Sequence, residues 1–571
     1  MPAPPAEANR SVRDSEGAAP GLTLSGRDRT HRAVWWPAGV VVVLAIVTLF
    51  YGLGARGLNE PDEGRYGSIA MEMYRSGDWL IPRLLGRAHM DKPPLTYWAM
   101  ASAYTVLGPS EFSARLPMAL AGLVTLAGTA WMAARLSGPR TAARAALLLL
   151  ISPIFFAFAR IADPNMILTA WTTLAYAAIF GWASTRRPIH RWLFYFALAG
   201  AFLTKGPVVF VLVLVPLAVW RFLFRDREPL RGLWDPLGAA LALAAGLSWF
   251  IVVTRSYPEL VWFYLGDEVV GRLLTTQHRR RGPPWFYGPI LLGGILPWLP
   301  ILRDAWREKT GLAFRCNPPL WRLIACAIIV PFVIFSFSGS KLPSYILPIF
   351  SSAAVGLAVL SPLPTRPTRH FGQMVWAAMA ILAAGVAIGI VARRRGWDWQ
   401  WTPELLLWAG VALAAWIGLG GFRAAWLREI AYAMVWLAVF QFGAVALAIH
   451  GDRIGAASTC APLGHFLSAH VAPQDRVTCY SKTPRGIGFY FPHPILYRAD
   501  EFTIQVAEDH ERLRSRLYRS DRHLRSLLED RSVRQWLVVP LMRLDKAAPL
   551  VAEADLREVY RDARFVVFSD W

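Results

Sequence analysis

Apolar stretches of roughly 18 or more residues, long enough to cross a bilayer, recur through the first 450 residues of the chain. Short connections rich in arginine, proline and glycine separate these stretches. The pattern predicts a polytopic all-α membrane bundle with about thirteen transmembrane helices. The predicted spans are 34–54, 112–136, 141–161, 164–184, 191–204, 206–224, 236–254, 285–302, 319–337, 343–361, 371–391, 403–421 and 428–449.

The polar ends of the chain follow different patterns from this bundle. Residues 1–32 are rich in Ala, Pro, Ser and Arg, which predicts a disordered cytoplasmic tail. Residues 33–450 form the predicted transmembrane domain, and 451–571 the predicted small soluble α/β domain. Within 451–571, apolar runs typical of strands alternate with charged helical stretches such as 509–528. The predicted strands are 476–480, 495–498, 536–539 and 565–568.

Composition and charge support a membrane protein and set its orientation. Of the 571 residues 55% are hydrophobic and only 17% are charged, and the net charge is +21. The excess lies in short arginine-rich loops between apolar runs, which is how membrane topology is encoded, so nucleic-acid binding is excluded. Six of these loops face the cytoplasm in one orientation, although Arg279–Arg281 and Arg393–Arg395 then lie outside.

This orientation places the first long loop, 55–111, and everything after about residue 450 on the outer side of the membrane. Pro61 followed by Asp62 and Glu63 predicts a helix start. Helical spacing from Arg65 to Ser76 then predicts a helix lying along the interface. The short apolar segment 94–108 is expected to lie there as well, because counting it as a span would invert every later loop.

Acidic and basic residues from at least five outer segments are expected at this one surface. A charge such as that of Lys205, between two apolar runs, needs a partner or a water-filled cavity. Lysines and arginines at a membrane surface suit a phosphate headgroup. Carboxylates with a nearby histidine can hold a divalent metal ion, and another carboxylate can accept a proton. The mixture predicts transfer of a group whose leaving group is a lipid-bound phosphate.

Five sequence segments carry a resemblance to a known family. They are PDEGRYGSIAMEMYRSGDWLIPRLLG, MDKPPLTYW, ARIADPN, LTKGP and SGSKLPSYILPIF. In this order they resemble the polyprenyl-phosphate-dependent glycosyltransferases of the type C fold. The chain is most similar to the group of bacterial aminoarabinose transferases and protein mannosyltransferases. The resemblance covers about residues 34–450, with the soluble tail also expected in position.

The resemblance implies a role for each candidate site residue. The implied catalytic residues are Asp62, Asp163, Arg65 and Tyr66. The residues implied to bind the lipid phosphate are Lys92, Lys205, Arg272, Lys341 and Tyr345. A divalent metal ion is implied at Asp91 and His278. Asp62 would be the general base for a hydroxyl acceptor, but would position groups if the acceptor is a phosphate. The family also implies inversion at the anomeric carbon.

We therefore predict a multi-pass inner-membrane glycosyltransferase with its active site facing the periplasm. It would move a sugar from an undecaprenyl-phosphate-type carrier to lipid A or another envelope glycan. A protein O-mannosyltransferase is the alternative within the same class. A transporter or flippase of lipid-linked sugars is the alternative from another class, but transporters concentrate ionisable residues near the bilayer midplane. A purely structural or signalling membrane protein is a third possibility. For Cys460 and Cys479 a disulfide and two free thiols both stay open.

Overall fold

The structure is a computed structural model of the whole chain, and most of it is helical. It describes residues 25–224, 230–264, 282–307, 318–360, 369–394, 400–422, 425–450, 458–501, 509, 511 and 513–570. The first eight α-helices, α1 to α8, are Ser25–Phe50, Asp62–Ser76, Leu95–Leu107, Glu111–Ser137, Pro139–Leu150, Pro153–Phe158, Pro164–Thr185 and Pro188–Lys205. The later helices of the apolar region are Val215–Phe224, Pro236–Ser256, Glu259–Trp262, Tyr287–Gly294, Leu299–Arg307, Pro318–Phe337, Ile349–Leu360, Arg369–Arg394, Pro403–Gly421 and Ala425–His450.

Within these ranges, six helices are long and apolar enough to cross a membrane. A seventh span is possible if the helix pair Pro284–Gly294 and Leu296–Arg303, bent by 58°, counts as one crossing. Four shorter apolar helices accompany them: Ala38–Phe50, Phe210–Phe224, Ile349–Leu360 and Pro403–Leu419. The chain is therefore a multi-pass membrane protein, and the number of thirteen spans stays a prediction.

Two predicted boundaries differ from the structure, each for a local reason. Helix α1 begins at Ser25, inside the segment predicted to be disordered, because residues 27–36 contain neither Gly nor Pro and lead directly into the apolar run. The predicted span 141–161 is divided at Ser152, where proline follows and cannot donate a helical hydrogen bond. The Ser152 hydroxyl instead donates to the Gly294 carbonyl oxygen, 2.8 Å away.

A six-stranded sheet forms in the C-terminal segment. Its strands are β3 Arg476–Cys479, β4 Ile495–Arg498, β5 Leu517–Tyr518, β6 Gln535–Pro540, β7 Arg557–Arg561 and β8 Phe565–Ser569. They pair in the order β5-β4-β3-β6-β8-β7, in which β3 to β6 are parallel and β8 is antiparallel to both neighbours. All four predicted strands are present, whereas β5 lies inside a stretch predicted to be helical. The helices here are Ala461–His470, Ile487–Tyr490, Asp521–Leu528 and Leu544–Glu553.

The C-terminal segment packs directly against the first outer loop, which also holds the short hairpin β1 Arg83–Leu84 and β2 Arg87–Ala88. Asn59 forms an isolated β-bridge with Thr459, and the Glu60 N–H donates to the Ser458 carbonyl oxygen at 2.6 Å. The two segments share one continuous hydrophobic cluster with the membrane helices. Cys460 and Cys479 are both buried free thiols, so the disulfide alternative is not supported. Whether 451–571 is a separate soluble domain stays a prediction.

Candidate active site

The outer-loop helix α2 begins at Asp62, directly after Pro61, as the sequence predicts. The two acidic residues of its first turn have different environments. The Glu63 side chain is only 2% exposed, and both of its carboxylate oxygens accept hydrogen bonds from Arg115. The backbone N–H groups of Asn59 and Ala162 also donate to Glu63. Glu63 therefore joins α2, α4 and the turn before α7, and it has a structural role.

Asp62 instead faces outward, with 54% of its side chain exposed. Its Oδ1 atom lies 2.8 Å from Nη2 of Arg65, one helical turn later. The Arg65 guanidinium carbon lies 5.1 Å from the centre of the Tyr66 ring, and Tyr66 stacks on Tyr97 with ring centres 5.6 Å apart. Asp62, Arg65 and Tyr66 thus form one group at the start of α2.

A second group connects the start of α7 with the end of α8. Asp163 is the N-cap of α7, and it accepts hydrogen bonds from the Asn165 backbone N–H at 2.8 Å and from Asn165 Nδ2 at 2.7 Å. Lys205 Nζ donates to Asn165 Oδ1 at 2.5 Å and lies 4.8 Å from the centre of the Tyr345 ring. Asn165 therefore links the acidic residue to the lysine.

The third group comes from the segment between β2 and α3. His89 Nε2 lies 3.5 Å from Asp91 Oδ2, and Lys92 Nζ donates to the Asp91 carbonyl oxygen at 2.6 Å. Burial lowers the pKa of His89 to about 3, against the attraction of Asp91, so the imidazole is neutral at physiological pH. A neutral imidazole can accept a hydrogen bond or bind a metal ion.

Electrostatic interactions show that the three groups are neighbours. Burial raises the pKa of Tyr66 to about 12, with contributions from Asp163, Asp62 and Asp91 and against the effect of Arg65. Burial also raises the pKa of Asp163 to about 6, with a contribution from Asp62 and against the effects of Asn165 and Lys205. Three carboxylates from three separate segments therefore lie close enough to Tyr66 to influence its ionisation.

A largely apolar cavity of about 400 Å³ opens beside these groups. Asp91, Lys92, Lys205 and Tyr345 line it together with Ser338, Ser340 and Ser344. Its remaining walls are mostly side chains such as Leu168, Phe202, Val211, Phe250 and Phe335. Lys341 is buried next to this wall, where its ammonium group donates to the Ser338 carbonyl oxygen at 2.6 Å. The cavity therefore combines cations with a long apolar surface.

Two predicted site residues, Arg272 and His278, lie outside the described residues. Within the described part of the chain, no three or more His, Cys, Asp or Glu side chains are close enough together to hold a metal ion. The pair of Asp91 and His89 offers one oxygen and one nitrogen ligand, a donor set that suits a divalent metal ion.

Sequence reasoning missed several residues that shape the site. Arg115 pairs with Glu63 from 52 positions away, and nothing local indicates this pairing. Asn165 could have been found, because Asp-Pro-Asn is typical of a capped helix start. Arg485, from the C-terminal segment, interacts electrostatically with Asp62, Arg65 and Asp91, although the sequence places it more than 390 residues away.

The sequence is similar to that of known membrane glycosyltransferases. A family model described as dolichyl-phosphate-mannose-protein mannosyltransferase matches residues 91–251. The undecaprenyl phosphate-alpha-4-amino-4-deoxy-L-arabinose arabinosyl transferase of Edwardsiella ictaluri is 30% identical over 337 residues, which is 57% of this chain and 59% of that protein. The protein of the same name, numbered 1, from Sodalis glossinidius is 28% identical. The match covers 76% of this chain and 76% of that protein.

Solved structures show the same fold. The apo structure of ArnT from Cupriavidus metallidurans has a TM-score of 0.79 and 25% identity, covering 95% of this chain and 98% of that one. The structure of the same protein bound to undecaprenyl phosphate has a TM-score of 0.80 and 24% identity. The match covers 94% of this chain and 98% of that one. Fold and site together define a membrane protein of the type C glycosyltransferase architecture. The particular resemblance, to polyprenyl-phosphate-dependent transferases of the aminoarabinose group, is thereby confirmed.

Proposed function

We propose that this protein is a glycosyltransferase that takes 4-amino-4-deoxy-L-arabinose from an undecaprenyl-phosphate carrier and transfers it to lipid A. The observation that carries the proposal is the apolar cavity with Lys92, Lys205 and Tyr345 in its wall. A polyprenyl phosphate has the matching chemistry, since its tail suits the apolar walls and its phosphate suits the lysines. The named relatives act on a donor of this kind.

The reaction is a single displacement at the anomeric carbon of the sugar. An oxygen of the acceptor forms a bond to that carbon while the bond to the carrier phosphate oxygen breaks, and the electron pair leaves with the phosphate. Lys92 and Lys205 stabilise the negative charge that develops there. Asn165 holds the Lys205 ammonium group in place. The displacement inverts the anomeric carbon.

The role of Asp62 depends on the acceptor. A lipid A phosphate is already anionic, so Asp62 would orient Arg65 and the sugar. For a hydroxyl acceptor, Asp62 would accept the proton as general base. A divalent metal ion, held by Asp91 with His278 as the second proposed ligand, would supply further positive charge for the phosphate when bound. The site would face the periplasm of a bacterial inner membrane.

Reconstitution tests this proposal directly. The purified chain in liposomes would receive the undecaprenyl-phosphate sugar donor together with either lipid A or a test glycoprotein, and mass spectrometry would read the product. We expect lipid A to gain the mass of one aminoarabinose. Sugar on the glycoprotein alone would instead favour a protein O-glycosyltransferase. Donor that crosses the bilayer without being consumed would indicate a transporter.

A further inference from the structure

The turn around Arg485 is fixed against α2 at two points, one before the start of the helix and one near its end. At one end, the backbone N–H groups of Arg485 and Gly486 donate to the Glu60 carboxylate at 3.0 and 2.6 Å. At the other end, Arg75 near the end of α2 donates to the Gly488 carbonyl oxygen at 2.9 Å. A segment more than 400 residues away in sequence thus lies directly beside the catalytic helix.

Close packing leaves this turn little freedom to move. A Cβ atom built on Gly64 would lie 2.8 Å from the Cα atom of Gly486, and one on Gly486 would lie 2.9 Å from Gly64 Cα. Carbon atoms essentially never approach this closely, so the two backbones touch without side chains between them. The position of Arg485 relative to Asp62 is therefore set by the backbone.

The Arg485 side chain is half-buried among charges of the site. Burial lowers its pKa, and Arg65 lowers it further, while Asp62, Glu60 and Asp91 oppose this effect. Arg485 also lowers the pKa of Arg87, whereas Asp91 raises it. The guanidinium groups of Arg65, Arg87 and Arg485 therefore all lie near Asp91, and Asp62 and Glu60 also lie near Arg485. Gathering like charges is unfavourable by itself, and an arginine cluster of this kind is typical of sites for phosphate groups.

The donor phosphate is already accounted for by the lysines of the cavity, and the walls of that cavity include Lys92 and Lys205 but none of these three arginines. We propose that Arg485 binds an anionic phosphate group of the acceptor and places it opposite the sugar. The inference rests on the proposed function and deepens it, since it assigns acceptor recognition to the C-terminal segment. It also explains how an anionic acceptor can approach a site with three carboxylates.

The test compares R485Q with the matched control K482Q in the full chain. Lys482 lies three residues away, is exposed and carries the same charge. The probes are lipid A with its phosphates and dephosphorylated lipid A, each with the undecaprenyl-phosphate aminoarabinose donor. We expect R485Q to raise the KM for phosphorylated lipid A roughly 10- to 100-fold, because one charge-assisted hydrogen bond is lost. K482Q should leave that KM unchanged, and R485K should give a smaller increase than R485Q.

Binding measurements separate this inference from the proposed function. Affinity for undecaprenyl phosphate alone should be equal in R485Q and wild type, and equal thermal unfolding midpoints would show that the variant is folded. An unchanged KM, an equal loss of affinity for undecaprenyl phosphate, or a preference of the wild type for dephosphorylated lipid A would overturn the role of Arg485. If the wild type transfers no sugar, the proposed function fails, and weaker lipid A binding by R485Q without donor still tests Arg485.

Discussion

Asp62 and Glu63 are adjacent in sequence, yet helix geometry gives them different tasks. Successive residues of a helix point about 100° apart, so one carboxylate is exposed while the other lies inside the protein. Burial opposes the charge of Glu63, but Arg115 and Arg56 hold its pKa at about 2. Glu63 thus stays ionised as a structural charge, and Asp62 stays accessible to substrate.

The first prediction concerns Asp62. Asp62→Asn should lower kcat by roughly 100-fold or more, because it removes either a general base or the partner that orients Arg65. Sugar transfer to lipid A in liposomes would measure the effect. The control Asp500→Asn alters a carboxylate that is 68% exposed and lies in the C-terminal segment. Wild-type rates in Asp62→Asn would contradict the assignment.

Glu63→Gln should instead affect stability. The substitution leaves the Arg115 guanidinium buried without its counter-charge, and breaking such a pair destabilises a protein by about 3–5 kcal/mol. We expect a lower thermal unfolding midpoint and a lower yield of folded protein. Glu558→Gln, which breaks the exposed pair with Arg561, is the control and should change little. An unaltered midpoint in Glu63→Gln would argue against a structural role.

The raised pKa of Asp163 leads us to expect that the rate of sugar transfer depends on pH. Its pKa is raised from the ordinary value of 3.8 to about 6, so the carboxylate becomes protonated as the pH falls through about 6. A protonated Asp163 accepts the Asn165 hydrogen bonds less strongly, and Asn165 then holds Lys205 less firmly. We expect kcat/KM to fall below about pH 6. Asp163→Asn should be slow at every pH and lack this step, and a flat wild-type profile would refute the idea.

At the scale of elements, local signals were predictable from the sequence and distant pairings were not. Pro61 and the two acidic residues after it correctly indicate the start of α2. Short apolar runs correctly indicate β3, β4, β6 and β8. The contact of Glu60 with the turn at Arg485 joins residues 425 positions apart, and no local propensity encodes it. The outer position of Asp62, Asp91 and Asp163 followed from charge patterning, but their meeting at Tyr66 needed the packed structure.

Packing of α2 against the C-terminal turn gives a prediction at this scale. Gly64→Ala should lower the free energy of unfolding by roughly 1–3 kcal/mol, because its methyl group would overlap the Gly486 backbone. Activity should fall in parallel, since the turn carries Arg485. Gly443→Ala is the matched control, as that helical glycine has no atom within 4 Å of the new Cβ. Differential scanning calorimetry of both variants would measure the difference.

For the whole molecule, the two parts of the candidate site must lie on one side of the membrane. The bridge between Asn59 and Thr459 and the hydrogen bonds of Glu60 join the first loop to the C-terminal segment. The positive-inside rule predicts that both lie in the periplasm and that the loop with Arg140 lies in the cytoplasm. Since the site depends on this arrangement, membrane orientation can be tested independently of activity.

Cysteine labelling in whole cells provides that test. Cysteines introduced at Asp78, whose side chain is 37% exposed, and at the exposed Lys482 should both react with a membrane-impermeant maleimide added from the periplasmic side. A cysteine at Arg140 should react only after the membrane is permeabilised. The native residues Cys326, Cys460 and Cys479 are buried and would contribute little background, and Cys316 would be replaced by serine. Labelling of Asp78 and Lys482 from opposite sides would exclude a shared site.

The volume of the apolar cavity, about 400 Å³, has a consequence for how the carrier is used. A space of this size accommodates a molecule of drug-like dimensions, whereas a polyprenyl chain is much longer. This cavity therefore has room for only the headgroup and the first isoprene units, and the rest of the hydrocarbon lies outside it, in the apolar space beyond Phe202 and Leu247 or in the surrounding lipid. Donors with trimmed tails should consequently be turned over almost as well as natural ones, provided that they still partition into the bilayer.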